Sequence, residues 1–260
     1  MEFEYSHLIC FSPTHSSHMI GETIQRGVGA EHSEETDLTY ENPSGNLEIT
    51  QAVTIIVVPV YGGRIAETAL ERMENIHGDG SPAIPVVVYG NRDYDDALLE
   101  LRDWCVKHGF RPFAAAAFIG EHSYSRQERP IAAGRPDEED LLEAMAFGQE
   151  VGSRLRLLGC PEEIPEIEVK GNFPYKVKGP KTPQAPETDT ERCAKCGFCV
   201  EICPVHAIVL DTGLYTDAGR CIKCCACVKQ CPNGARIFDT PYTDMLFKNF
   251  SARRKPELFY

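Results

Sequence analysis

Eight of the twelve cysteines form two copies of one motif, and their spacing is typical of iron–sulfur ligation. Each copy has the pattern C-x2-C-x2-C-x3-C-P. Two-residue gaps let one tight loop supply three thiolates to the corners of a cubane, while the fourth thiolate comes from the other motif. The sequence therefore predicts two iron–sulfur clusters in one domain. Their candidate ligands are Cys193, Cys196, Cys199, Cys203, Cys221, Cys224, Cys227 and Cys231.

Two other roles fit these cysteines less well. A four-cysteine zinc site usually has two well-separated C-x2-C pairs, and disulfides would require an oxidising compartment. Residues 204–208 and 232–237 repeat at the same offset of 28 positions that separates Cys193 from Cys221, which predicts an internal twofold symmetry. The remaining cysteines show no paired spacing, and we expect ordinary buried thiols at Cys10, Cys105, Cys160 and Cys225.

A hydroxyl-rich segment near the N-terminus is a candidate phosphate site. It follows the first apolar run and leads directly into a segment with helical period. Hydroxyls and free backbone N–H groups at the start of a helix can bind a phosphate, but Ser and Thr are equally common as plain N-caps. The candidate residues are Ser12, Thr14, His15, Ser16 and Ser17.

Two further loops could bind a planar ring. In each of them a tyrosine lies beside glycine, so that a flat aromatic face is next to bare backbone. The first loop contains Pro59, Val60, Tyr61, Gly62 and Gly63, and the second contains Tyr89, Gly90, Asn91 and Tyr94.

All three loops follow apolar runs that read as buried strands. The runs are residues 5–11, 53–60, 84–89 and 113–119, and either 36–40 or 47–50 is a weaker candidate for a further strand. Segments with helical period lie between them, at residues 19–28, 65–76, 98–105 and 141–158. This alternation predicts an α/β domain with a doubly wound parallel sheet. Ligands of such sheets bind beyond the carboxyl ends of the strands, where the three loops lie.

With these motifs, residues 1–160 resemble a flavodoxin-fold domain, and the whole chain resembles the flavodoxin–ferredoxin fusion proteins of anaerobes. The resemblance implies that residues 12–17 grip the phosphate of FMN and that residues 60–63 and 89–91 flank its isoalloxazine. By resemblance to bacterial two-cluster ferredoxins, one [4Fe-4S] cluster would be held by Cys193, Cys196, Cys199 and Cys231, and the other by Cys221, Cys224, Cys227 and Cys203.

We expect four parts along the chain. Residues 1–160 would be the flavodoxin-like FMN domain, and residues 188–240 a small α+β ferredoxin-like domain. Residues 161–187, rich in proline, would be an extended linker laid against a surface. Residues 241–260 would be an aromatic tail that packs between the domains.

The charge and composition of the chain argue against some classes of partner. The chain has a net charge of −13, and its first 159 residues contain 26 acidic and 12 basic residues, so a nucleic-acid partner is not expected. The apolar runs are too short to span a bilayer, and no charged start followed by an apolar run opens the sequence, so we expect no membrane segment. Thiolate-bound iron needs a reducing interior, which predicts a cytoplasmic location.

The leading functional hypothesis is electron transfer from a low-potential donor, such as ferredoxin, through the clusters and FMN to a protein acceptor. One alternative is a flavin-dependent reductase of a small organic acceptor such as a quinone, for which Tyr61, Tyr94 and His122 are candidates above the flavin. His122 lies in a long loop that could instead be polar packing against the second domain. A second alternative is a docking module without flavin, since His15 stands where the flavodoxin pattern usually has glycine. No G-x-G-x-x-G motif follows a strand, so direct use of NADH is not expected.

Overall fold

The structure is a computed structural model that describes residues 1–180 and 182–260. Its strands are β1 (Tyr5–Cys10), β2 (His32–Asp37), β3 (Leu47–Ile49), β4 (Ala52–Tyr61), β5 (Arg64–Ile65), β6 (Ile76–Gly78), β7 (Pro82–Tyr89), β8 (Arg111–Pro112), β9 (Ala115–Ile119), β10 (Glu187–Thr188), β11 (Ile208–Leu210), β12 (Leu214–Thr216), β13 (Arg236–Ile237) and β14 (Glu257–Phe259). Its helices are α1 (Ser16–Val28), α2 (Glu67–Met73), α3 (Ala97–Lys107), α4 (Glu138–Leu157), α5 (Phe198–Glu201), α6 (Ala226–Lys229) and α7 (Pro241–Phe250), with one 3-10 turn at Pro161–Glu163.

The main sheet has the strand order of a flavodoxin-like fold. Its spatial order is β14-β9-β7-β4-β1-β2, and every pair from β9 to β2 is parallel. Numbered along the chain, these five parallel strands lie in the order 2-1-3-4-5, which is the flavodoxin-like order of doubly wound sheets. The predicted doubly wound parallel sheet is confirmed.

Helices cover both faces of this sheet. Helices α1 and α4 pack on one face, around Leu8, Ile55 and Phe118, and α2 and α3 pack on the other. Helices α1 and α4 approach closely because Gly27 and Gly148 face each other, and a Cβ on Gly148 would lie 2.3 Å from the Ile24 carbonyl oxygen. Among the described residues, no helix is long and apolar enough to cross a membrane.

The fifth parallel strand differs from both candidates offered by the sequence. Strand β2 is His32–Asp37, a polar and largely exposed segment that pairs only with β1 at the edge of the sheet. It overlaps the predicted 36–40 segment by two residues, whereas the predicted 47–50 segment forms β3, which pairs with β6 outside the main sheet. An edge strand needs little apolar surface, so hydrophobic patterns do not reveal it.

The C-terminal tail does more than pack between the domains. Its strand β14 pairs antiparallel with β9 and forms the other edge of the flavodoxin-like sheet. Arg135, which is buried, donates to the Arg254 carbonyl oxygen at 2.9 Å and pairs with Asp140 of α4. The chain thus returns to its first domain after it has passed through the second.

The cysteine-rich unit is built from two matching halves. Strand β10 pairs with β13, and β11 pairs with β12. Left-handed backbone recurs at equivalent positions, because Gly197 and Cys225 both begin a short helix with φ of 81° and 59°. His206 and Gly234 form another such pair, with φ of 49° and 58°. The predicted repeat is therefore present in the backbone itself.

Candidate cofactor sites

A cavity of about 710 Å³ lies at the carboxyl ends of β1, β4, β7 and β9. This volume is within the range of small-molecule and cofactor pockets. The structure brings all three predicted loops to it, as their position after parallel strands requires. The predicted residues that line the cavity are Ser12, Thr14, Ser16, Ser17, Pro59, Val60, Tyr61, Gly62, Gly63, Tyr89 and Gly90.

The start of α1 faces this cavity. His15 is the N-cap of α1, with a left-handed φ of 63°, but its side chain is exposed, makes no capping hydrogen bond and lies outside the cavity lining. The left-handed backbone explains why glycine suits this position. Ser12 Oγ accepts a hydrogen bond from the His18 N–H at 3.1 Å, while Ser16 and Ser17 line the cavity in the first turn. Hydroxyls and backbone N–H groups at a helix N-terminus form an arrangement suited to phosphate.

Asn91 and Tyr94 lie away from the cavity. Asn91 Nδ2 donates to the carbonyl oxygens of Phe250 and Ala252 at 2.6 and 2.8 Å. The hydroxyl of Tyr94, a fully buried residue, donates to Glu257 Oε2 at 2.7 Å. Both side chains hold the C-terminal tail against the flavodoxin-like domain. No local pattern indicated this, because the tail is more than 150 residues away in the sequence.

The linker closes one side of the cavity, which the sequence did not predict. Asp96 holds this segment, since its carboxylate accepts the backbone N–H of Asn172 at 2.8 Å and of Lys176 at 2.6 Å. Two lysines thereby line the cavity, where Lys176 pairs with Asp95 and Lys178 pairs with Glu67. The lining residues from the linker are Lys176, Val177, Lys178, Gly179, Pro180 and Thr182, and Ile222, Lys223 and Tyr242 join them from further along the chain.

His122 lines the cavity as a neutral side chain. Its Nδ1 lies 3.0 Å from the Tyr124 backbone N–H and accepts that hydrogen bond, which places the ring proton on Nε2. Burial lowers the pKa of His122 to about 4, and the charges of Lys229 and Arg92 act in the same direction. His122 therefore offers a hydrogen-bond donor to a bound molecule and is a poor proton donor near neutral pH. The same long loop also contacts the second domain, through the bonds of Lys229 Nζ to Glu121 Oε1 and to the Ser125 carbonyl oxygen.

Four of the motif cysteines surround one small cavity. Cys193, Cys196 and Cys199 of the first motif line it together with Cys231 of the second. This grouping is the one that the resemblance to two-cluster ferredoxins implies. Soft thiolate ligands from three residues of one loop and one of another fit a [4Fe-4S] cluster.

The other four cysteines form a second group. Cys203 of the first motif is buried against Cys227, with Cys221 packed beside them, and Cys224 is close enough to interact electrostatically with all three. The fourth thiol of each motif therefore crosses to the other half. In the part of the chain that the structure describes, no group of three or more His, Cys, Asp or Glu side chains is arranged to hold a single metal ion. A cubane needs a wider arrangement of ligands, because its four thiolates bind four separate corners.

Equivalent backbone hydrogen bonds reach the crossing thiols. The Ala207 N–H donates to Cys203 Sγ at 3.2 Å, and the Ala235 N–H donates to Cys231 Sγ at 3.3 Å. Such bonds stabilise thiolates and are one of the factors that set the potential of a cluster. In each cysteine group, the thiol that comes from the other half thus accepts an equivalent backbone hydrogen bond.

Tyr61 joins the large cavity to the second cysteine group. It lines the cavity and also packs against the buried cluster of Ile202, Cys224 and Ala226. Burial raises the pKa of the Tyr61 hydroxyl well above its usual value, and the Cys224 thiol acts in the same direction. The hydroxyl is therefore neutral at physiological pH. Sequence reasoning placed Tyr61 in the cavity but had no signal for its contact with the cysteine loop.

Polar contacts fix the two domains around Tyr61. Lys229 Nζ lies 2.5 Å from Glu121 Oε1 and 2.7 Å from the Ser125 carbonyl oxygen. Gln230 Nε2 donates to the Pro13 carbonyl oxygen at 3.1 Å, and an Arg72 N–H donates to the Pro204 carbonyl oxygen at 2.6 Å. Lys229 ends helix α6, which also contains Cys227, and Gln230 is the C-cap of this helix. The cysteine loop and the cavity are therefore held in a defined relation.

Comparison with known proteins identifies the C-terminal unit. Residues 186–209 and 214–237 match the family model of the 4Fe-4S binding domain, and these segments contain all eight motif cysteines. The prediction of a 4Fe-4S ferredoxin domain is confirmed. No curated protein matches the chain.

Among solved structures, the chain is similar to a flavodoxin from the domain Archaea, with 9% identity, a TM-score of 0.40 and coverage of 58% of this chain and 99% of that chain. A flavodoxin of Streptococcus pneumonia TIGR4 shows 12% identity, a TM-score of 0.41 and the same two coverages. The apo form of the NADH:FMN oxidoreductase EMOB shows 12% identity, a TM-score of 0.41 and coverage of 62% and 94%. Because these scores are low, the flavodoxin-like assignment of the N-terminal domain rests on its strand order.

Proposed function

We propose that this protein transfers electrons from a low-potential donor, such as ferredoxin, through two [4Fe-4S] clusters and FMN to a protein acceptor. A 4Fe-4S binding domain joined to a flavodoxin-like fold supports electron transfer as the general function. When bound, the clusters would exchange single electrons and the flavin one or two. The cluster ligands are the two cysteine groups described above, and FMN is the ligand proposed for the cavity of about 710 Å³.

The observation that carries this proposal is the position of Tyr61. One side chain forms part of the cavity wall and also packs on the loop that holds Cys224. The FMN site and the second cluster site are therefore neighbours across a single residue. In the first cysteine group Cys196 is exposed, and we propose this group as the point of entry for electrons.

The polar contacts between the domains keep the two proposed redox sites next to each other, so that electron transfer between them needs no collision. Two linked redox sites have a high effective concentration for each other without any dissociation step. Lys229, Gln230 and Arg72 hold the cysteine-rich domain at the mouth of the cavity through the contacts described above. The chain thus favours internal transfer over exchange with free partners at the flavin.

The proposed FMN site divides into a phosphate part and a ring part. Thr14, Ser16, Ser17 and the backbone N–H groups at the start of α1 would bind the phosphate. At the other end, Tyr61, the glycines that follow it and Gly90 would contact the ring system. Lys176 and Lys178 bring positive charge to a site that would take up an anionic ligand.

The first test is flavin, iron and sulfide analysis on one sample purified without oxygen. We expect one FMN and about eight irons for each chain, the content of two cubanes. Thr14→Ala combined with Ser17→Ala should lose flavin and keep the iron. The exposed pair Ser44→Ala with Thr50→Ala is the matched control and should keep both. Wild-type protein with full iron and no flavin would contradict the FMN part of the proposal.

The role of Tyr61 can be tested separately. Tyr61→Leu keeps an apolar side chain in the wall but removes the aromatic ring, so electron exchange between clusters and flavin should slow while cofactor content is unchanged. Rapid-mixing reduction by a ferredoxin, followed at flavin and cluster wavelengths, measures this. Tyr5→Leu, at a partly exposed tyrosine of β1, is the control. Equal rates in the two variants would remove Tyr61 from the path.

A second candidate function, reduction of a small organic acceptor, is favoured by His122. Its neutral ring offers a hydrogen-bond donor inside the cavity, next to Tyr124. If the acceptor binds there, His122→Gln should raise KM for a quinone and leave the internal reduction of the flavin unchanged. A protein acceptor predicts no effect of this substitution on turnover.

A further inference from the structure

Arg236 is a buried cation between the two cysteine groups. Its side chain begins in strand β13, and the residue is only 3% exposed. It lines the cavity of Cys193, Cys196, Cys199 and Cys231, and one of its terminal nitrogens lies 3.8 Å from Cys227 Sγ in the other group. Arg236 is therefore next to both proposed cluster sites.

The polar partners of Arg236 carry no charge. Its two terminal nitrogens donate to Thr188 Oγ1 at 2.5 Å and to Thr216 Oγ1 at 2.7 Å. Its Nε is buried without a hydrogen-bond partner among the described residues. In the same part of the chain, no carboxylate forms an ion pair with it. Burying a guanidinium without an anion is costly, so an anionic neighbour would stabilise Arg236 in this position.

The internal repeat shows that this cation is not required by the fold. With the offset of 28 positions, the residue equivalent to Arg236 is Ile208. Ile208 is 4% exposed and packs in the apolar core of its own half. The same backbone position therefore accepts an aliphatic side chain in one half and carries a charge in the other.

We propose that Arg236 is the shared counter-charge of the two clusters and raises the reduction potential of both. This rests on the cluster part of the proposed function and not on the flavin. A four-thiolate cluster is anionic and becomes more so on reduction, so a fixed neighbouring cation stabilises the reduced form more than the oxidised form. The cluster that contains Cys227 has the direct contact and receives the larger effect.

The test is a potentiometric titration of the anaerobically purified full chain, followed by electron paramagnetic resonance. Arg236→Gln should lower the midpoint of both clusters. For the cluster that contains Cys227 we expect at least a tenfold change in the one-electron reduction equilibrium, which is 59 mV. Arg236→Lys keeps the charge and should restore most of the shift. Lys248→Gln removes one positive charge at an exposed lysine of α7, away from the motif cysteines, and should leave both midpoints in place.

Each other outcome is decisive. A fully loaded Arg236→Gln protein with unchanged midpoints would overturn the proposal. If Arg236→Gln loses its clusters, the lysine variant decides: retention with wild-type midpoints supports a role of the charge, whereas loss in both variants means that Arg236 acts only through its bonds to Thr188 and Thr216. Wild-type protein with about eight irons but no flavin would defeat the proposed electron path and leave this titration fully interpretable.

Discussion

The two domains of this chain are stabilised by different kinds of core. In the flavodoxin-like domain, apolar side chains fill both faces of the sheet, as Leu8 and Ile55 do on one face and Ile56 on the other. In the ferredoxin-like domain, the buried core clusters are small, and Cys203, Cys224 and Cys227 are among their residues. The first domain can therefore fold around its own side chains, whereas the second takes much of its core from ligands to iron.

This difference separates the structural role of a cofactor from its redox role. Metal binding contributes directly to folding where the site does not exist in the unfolded chain. The proposed clusters would act in both ways, while the proposed flavin would occupy a cavity whose walls the sheet already builds. Loss of flavin and loss of iron should consequently have different structural effects.

The largest effect is expected from removing a ligand that is also a core residue. Cys227→Ala should reduce the iron content from about eight to about four, because each cubane holds four irons. We also expect loss of hydrogen-exchange protection across residues 188–237, while β4 and β7 stay protected and flavin is retained. Cys225→Ala is the matched control, since Cys225 is buried beside the ligands but occupies a spacer position of the motif. Iron loss of equal size in both variants would contradict the proposed ligand set.

The reverse experiment disturbs the aliphatic core. Ile55 is fully buried in β4, and Ile55→Ala should lower the free energy of unfolding of the first domain by about 2–5 kcal/mol. Urea unfolding followed by the fluorescence of Trp104, the one tryptophan of the chain, measures this, and the iron content should not change. Val209→Ala, at an exposed position of the second domain, is expected to stay within about 0.5 kcal/mol of wild type. Loss of iron in the Ile55 variant would show that the two cores are not independent.

Acid should affect the first domain through His122. Its pKa is about 4 in the folded chain, below the ordinary 6.5, so the unfolded chain binds more protons between these values. Stability from this group is present above pH 6.5 and is lost as the pH falls toward 4, by about 1–2 kcal/mol between pH 7 and pH 5. His122→Gln should remove this part of the pH dependence in urea titrations, whereas the exposed control His206→Gln should keep it. An unchanged slope in the His122 variant would mean that the imidazole is not buried in solution.

The features that the sequence predicted share one property: a short stretch of residues carries them. The cysteine motifs, the four buried strands and the loops after three of them are each readable within about a dozen residues, because ligand spacing and strand periodicity are local. Eleven of the fourteen proposed FMN contacts consequently lie on the cavity.

Most of the features that the sequence did not predict depend on contacts between residues that are far apart in the chain. Asn91 and Tyr94 belong to a correctly predicted loop, yet their side chains bind the tail, whose return to the sheet edge is a long-range contact. The linker residues on the cavity and the packing of Tyr61 on Cys224 have the same origin. Strand β2 was missed for a different reason, since a polar edge strand lacks the apolar pattern of a buried one.

The smallest effect is expected where the two domains meet. Burial alone would raise the pKa of Glu121, but the Lys229 ammonium and the Gly134 N–H outweigh it and hold this pKa below its usual value. The contribution of Glu121 to docking is therefore present at neutral pH and is lost as the pH falls below about 4.5.

Glu121→Gln should weaken docking by about 1 kcal/mol, the size of a half-exposed ion pair. Hydrogen exchange would then increase in residues 226–230 but not in β4, and Glu128→Gln, at an exposed position of the same loop, should have no effect. Equal hydrogen exchange in the two variants would mean that apolar packing around Tyr61, and not the ion pair, joins the ferredoxin-like domain to the flavodoxin-like domain.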